Sequence, residues 1–198
     1  MKILMFVPNV APLPPSKKGG AGVERHVYDL SNALGAQGHT VFLVCKPLRN
    51  AIFHKNIVIC KVPIPELGFH TIRGFYGRIL CFIIGFLFTL WRTLNVLRVR
   101  KFDFDVVHGH EIFTSLFLLP LLRIKKLPII FTVHSPQYQT KAYRGLRLLI
   151  RRIFFIVAAI LWRNVDHLIV LSKTIEREMK HLWHVDPKKI SRVPQLID

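Results

Sequence analysis

Short unbroken apolar runs, separated by segments with helical periodicity, recur along this chain and restrict its fold more than any other feature. The first run, Lys2 to Val7, reads KILMFV. It has no polar face, which is the pattern of a parallel strand covered on both sides. Similar runs occupy Thr40–Cys45 (TVFLVC), 57–62 (IVICKV), 105–108 (DVVH), 128–133 (PIIFTV) and 167–171 (HLIVL), with a last one over 189–193. Between the first two, Val23 to Gln37 places Val27, Leu30 and Leu34 on one helical face, and Gly38 is set to end that helix. Strand, loop, helix, glycine turn and strand make a βαβ unit of the length that a right-handed crossover needs.

Further helices are predicted over 76–99, 113–122, 143–164 and 174–182, the last with Ser172 as its N-cap. Strands alternating with helices, without internal repeats, predict an α/β fold: a Rossmann-like open parallel sheet with helices on both faces. The 198 residues, 51% of them hydrophobic, suffice to bury one core, so residues 1–198 are expected to form a single domain.

The formal charge of +18 calls for an anionic partner. No acidic residue occurs between Glu66 and Asp103, nor between Glu111 and Asp166, and these windows are also the most apolar. Nucleic-acid binders more often interleave cations with polar loops, so nucleic acid is not the expected partner; an anionic membrane surface is. Cys45, Cys60 and Cys81 have no metal-ligand spacing and are odd in number, which argues against a disulfide framework and for a reducing compartment. The N-terminal apolar run stops at Pro8, too short for the core of a signal peptide.

Helical spacing puts Lys141, Arg144, Arg147, Arg151 and Arg152 on one side of the helix near 143–164, together with Leu148, Phe155 and Trp162. Leu146, Leu149, Ile150, Ile153, Val157 and Ile160 fall opposite and are expected to pack on the sheet. Aromatics among arginines suit a helix lying in a bilayer interface, so Arg144, Arg147, Arg151, Phe155 and Trp162 are the candidate membrane-facing residues. The alternative is a solvated basic face whose aromatics are covered by neighbouring helices. In the earlier long helix Arg92 interrupts the apolar run, short of the roughly 20 residues that span a bilayer. That helix is expected to be buried or half-inserted.

Three places carry candidate chemistry. The loop Gly19-Gly20-Ala21-Gly22 precedes a helix, so its amides and that helix's N-terminus can face an anion, or the loop is simply a flexible turn. It lacks GxGxxG spacing, and no acidic residue closes the second strand, which excludes a nicotinamide fingerprint. His108, His110 and Glu111 (HGHE) are placed just past the end of one strand, and His134 ends the next. Ligands of open α/β sheets bind at the carboxyl ends of the strands, so these groups are expected as a polar cleft wall rather than a metal site. For His108, an equally good reading is a strand-end histidine satisfied by backbone.

The ordered segments PNVAPLPPSKKGGAGVERHVYDLSNALGAQGHTVFLVC, FDFDVVHGHE, PIIFTVHS, VDHLIVLS and KKISRVPQLID resemble the N-terminal domain of GT-B glycosyltransferases of retaining family 4. The resemblance implies an acceptor-side domain that faces a nucleotide-sugar-binding partner domain. It places Gly19, Gly20 and Gly22 near the donor phosphates or acceptor, His134 at the reaction centre, and Glu24 and His110 on the cleft wall. It implies a nucleotide-sugar donor, a lipid-linked or glycan acceptor, no metal and no other cofactor. The tail departs from the family's PNGVD hinge, with Gln195-Leu196 replacing Asn-Gly. No donor-binding domain follows in this sequence, so the isolated chain is expected to be inactive. It is expected to need that C-terminal half in cis or as a separate chain.

Two functions are thus carried forward. One is half of a membrane-associated glycosyltransferase, cytoplasmic and peripheral on the inner face of a membrane. The other is a non-catalytic subunit that docks on the membrane, binds acceptor and recruits a donor-binding partner.

Overall fold

The computed structural model describes residues 1–7, 22–45, 52–61, 87, 91, 95, 103–110, 126–134 and 146–194. The chain divides into two compact units, Met1–Phe104 and Asp105–Asp198.

The first unit holds β1 (Lys2–Val7), α1 (Gly22–Ala36), β2 (Thr40–Cys45) and β3 (Ile57–Lys61). Its strands are parallel in the order β3-β2-β1, with Lys2 opposite Thr40 and Val41 opposite Ile57. Ile3 to Val7 are all buried, as an apolar run without a polar face requires. Met5, Val7, Val27, Val41, Leu43 and Cys45 form the core, so α1 packs through the face that carries Val27. Gly38 has φ 84°, a left-handed conformation that glycine adopts without a Cβ clash, and it turns the chain from α1 into β2. Burial pushes the Cys45 thiol up to about 12, so this cysteine is a protonated core residue at neutral pH. Cys45 and Cys60 are both buried.

The second unit holds β4 (Val106–His110), β5 (Ile129–Val133), α2 (Leu146–Asn164), β6 (His167–Val170), α3 (Lys173–His181) and β7 (Ile190–Arg192). These strands are also parallel, in the order β4-β5-β6-β7. Asp166 joins α2 to the sheet. Its carboxylate accepts from the Ile129 amide at 2.7 Å, and its own amide donates to the Ile129 carbonyl at 3.0 Å. Ser172 is the predicted N-cap of α3, its hydroxyl accepting from the Ile175 amide at 3.2 Å. Lys189, in the 3-10 turn Pro187–Lys189, donates to the carbonyls of Arg163 and Val165. A cation there satisfies acceptors that the end of α2 leaves open and meets the negative end of its dipole.

The helix expected near 113–122 lies outside the described residues. Of the helix expected over 76–99, Leu87, Trp91 and Asn95 are described and are helical. Leu87 and Trp91 are 55% and 54% exposed, so this side of the helix is not buried. No helix among the described residues is long and apolar enough to cross a membrane.

The faces expected for α2 hold only in part: Arg152 is exposed, but the aromatics placed beside it are covered, as in the alternative of a solvated basic face. Phe155 and Trp162, expected to face a membrane, are 7% and 0% exposed, whereas Ile160, expected to pack on the sheet, is 50% exposed. The cause is Trp183, which follows α3. Its ring stacks on Phe155 at 5.4 Å and meets Trp162 edge-on at 5.3 Å. Trp183 is anchored by its indole N–H to Glu178 and by its carbonyl, which accepts from Arg163. Phe155, Ala158, Ala159 and Trp162, at helical spacing, are therefore the buried stripe. Arg152, Ile156, Ile160 and Arg163 form the exposed one. Arg144 lies outside the described residues, as do the side chains of Arg147 and Arg151.

Candidate functional site

The site is built from the carboxyl ends of two neighbouring strands. In β4, His108 and His110 are two residues apart and share one face of the strand. In β5 and just beyond it, Thr132 and His134 have the same spacing, and the register sets His110 beside Thr132. Four polar side chains thus meet where an apolar sheet would ordinarily carry valine or isoleucine.

Each of these groups is held by another. His108 Nε2 and Thr132 Oγ1 are hydrogen-bonded at 2.8 Å, and the His108 and His110 rings stack with centroids 4.3 Å apart. His110 Nδ1 lies 3.1 Å from His134 Nε2, a hydrogen bond between two imidazoles. His108, His110 and Thr132 are buried, and His134 alone of the four is partly exposed. His134, just past the carboxyl end of β5, is thus the one of the four that solvent reaches.

This placing corrects the expectation for His110. It was expected on the cleft wall beyond the strand, but it is fully buried within β4. The strand continues through Gly109 because its pairing with β5 runs from Val107–Ile129 to His110–Thr132. A His-Gly pair read as the start of a loop was in fact the last rung of the ladder. Thr132 was not among the expected residues. Its signal was the period-two match of HGH on one strand with TVH on the next, which becomes visible once their register is known.

On α1, Glu24 is 5% exposed in the first turn, so its carboxylate is largely covered. Gly22 is the first residue of α1, and a Cβ added there would meet nothing within 4 Å. Local packing among the described residues thus does not demand glycine at this position. Gly19 and Gly20 lie outside the described residues. His134 itself can donate or accept a hydrogen bond through a ring nitrogen.

A model of Glycosyltransferase Family 4 matches residues 20–198. The chain belongs to glycosyltransferase family 4. Solved structures similar to it are GT-B glycosyltransferases, and in the three that follow the match lies over about half of a longer chain. Sucrose-phosphate synthase from Thermosynechococcus elongatus superposes with a TM-score of 0.69 at 17% identity, over 98% of this chain and 47% of its own. Anabaena HepE in complex with UDP-glucose gives 0.63 at 11% identity, over 100% of this chain and 44% of its own. The catalytic domain of starch synthase IV from Arabidopsis thaliana, bound to ADP and acarbose, gives 0.60 at 15% identity, over 100% and 52%. At such identities these structures establish the Rossmann-like fold of a GT-B half and not a shared substrate. A search of curated proteins found no significant match.

For this family 4 chain, the part expected to resemble the N-terminal domain is thus present in sequence and fold. Of the histidines singled out in the sequence, His134 follows β5, His110 is the last residue of β4 and His108 lies inside that strand.

Proposed function

We propose that the chain is the acceptor-side half of a retaining glycosyltransferase, which transfers a sugar from a nucleotide-sugar to a lipid-linked or glycan acceptor at a membrane surface. The observation that carries this reading is His134, partly exposed at the carboxyl end of β5 and oriented by a buried histidine. The helix N-terminus at Gly22, where backbone amides can meet an anion, supports a phosphate-bearing ligand. The UDP-glucose and ADP held by HepE and starch synthase IV support a nucleotide-sugar donor. In this reading the leaving diphosphate needs positive charge or aligned dipoles from a facing donor-binding domain, because that is where charge develops in the transition state. No metal is assigned to the step.

The test is sugar transfer by the chain together with a donor-binding Rossmann-like domain, fused or separate, using a panel of labelled nucleotide-sugars and lipid-phosphate acceptors. Transfer that needs both halves is the expected result. If the chain binds acceptor and vesicles yet no combination transfers sugar, the non-catalytic docking subunit replaces the enzyme.

Membrane association belongs to the same proposal, on a different face of α2 from the one first expected. Ile156 and Ile160 are 60% and 50% exposed and are flanked by exposed Arg152 and Arg163, the composition of an interfacial helix. The charge of +18 favours anionic lipid, at roughly 1 kcal/mol for each basic residue near the surface. Sedimentation with phosphatidylglycerol vesicles is expected to be strong at low salt and weaker at high salt. Ile156→Asp and Ile160→Asp should each weaken it about tenfold, from the lost burial of about half an isoleucine side chain. Retention on DNA with no vesicle binding would overturn this part.

A further inference from the structure

We propose that His110 is a positioning residue that fixes the ring orientation and the tautomer of His134. A hydrogen bond between two ring nitrogens needs one N–H and one lone pair, so the proton carried by His110 Nδ1 decides what His134 Nε2 carries. In a neutral imidazole, that choice also decides the state of Nδ1 on the far side of the ring. The 3.1 Å contact therefore holds the His134 ring in place and couples its tautomer to that of His110.

His110 can impose this choice because it is itself immobilised. Its ring is fully buried and lies against His108 at 4.3 Å, nearly parallel at 30° between planes. His108 is fixed in turn by the 2.8 Å bond to Thr132, whose side chain is also fully buried. Turning the His110 ring would break the stack and open space in a close-packed interior. Thr132, His108 and His110 thus form a rigid support whose last member reaches the partly exposed His134. The arrangement resembles the way a buried partner holds a metal-ligating or catalytic histidine in one tautomer. Its functional meaning rests on the proposed role of His134 at the transferred sugar. The geometry itself does not.

Imidazole NMR on the full chain tests the proposal directly. With ¹⁵N-labelled histidine in chelator-treated buffer near neutral pH, the unaltered chain is expected to show a coupling across the hydrogen bond between His110 Nδ1 and His134 Nε2. His134 should show a single tautomer. His110→Phe keeps a ring to stack on His108 but offers no nitrogen, and it should release His134 into a mixture of tautomers. His110→Asn places an amide near the position of Nδ1 and should restore one tautomer. Absence of the coupling in the unaltered chain overturns the proposal, and that measurement needs no variant to fold. Unchanged His134 shifts in a folded His110→Phe chain overturn it as well. If the coupling is present while His134→Ala keeps full turnover, the support is real and the catalytic reading of His134 is what fails.

Discussion

Replacing Trp162 with alanine is expected to destabilise the chain by about 3–5 kcal/mol, the range for deleting a fully buried large aromatic. Trp162 has no exposed surface and packs edge-on against Trp183, which also stacks on Phe155. Removing its indole leaves a cavity beside the two remaining rings, Phe155 and Trp183, which α2 and the segment after α3 hold in place. One term works in the opposite direction. The Trp162 indole N–H is buried with no hydrogen-bond partner among the described residues. An unsatisfied buried donor costs about 1–3 kcal/mol, and phenylalanine at this position removes that cost while keeping most of the ring volume. Trp162→Phe should therefore lose clearly less than Trp162→Ala. Urea unfolding monitored by circular dichroism separates the two variants. Equal, small losses would mean that Trp162 is a surface residue, as first expected from its place among arginines.

Replacing His134 with alanine should lower turnover of the complete two-domain enzyme by about 10²–10⁴-fold, the range for a positioned acid–base or hydrogen-bonding group. His134 is partly exposed but bonds the buried His110, so its loss should cost about 1–3 kcal/mol, the penalty for a buried polar group left unsatisfied, and less than the loss of Trp162. The contrast between Trp162 and His134 is the useful result: one is needed to fold and the other to react. Steady-state kinetics beside a thermal unfolding curve measures both quantities. Unchanged kcat in a folded His134→Ala enzyme would remove this histidine from the reaction centre.

Much of the fold was legible before any coordinates. The bounds of β1 and β2 coincide with their apolar runs, and Gly38 ends α1 as its lack of a side chain suggested. Buried parallel strands announce themselves because both faces must be apolar, so every residue of the run carries the signal. The Ser172 cap was equally local, since it depends only on a hydroxyl three residues before an amide. His134 at a strand end was legible for the same reason. Its partners were less so: a strand of five apolar residues is recognised easily, but one that ends His-Gly-His is not.

What the linear chain determined, then, was the alternation of strands and helices, the basic charge, and a histidine at the end of β5. Which side of α2 is buried was decided only by tertiary structure. Periodicity divides a helix into two faces without naming the one that meets the protein, and here Trp183, distant in sequence, selects the side with Phe155 and Trp162. The histidine cluster was also a tertiary decision. Twenty-four residues separate His110 from His134, and the parallel register of β4 and β5 brings their ring nitrogens to 3.1 Å. Spacing along a strand is a property of the chain, whereas register between strands belongs to the packed sheet, and the chemistry of this site depends on both.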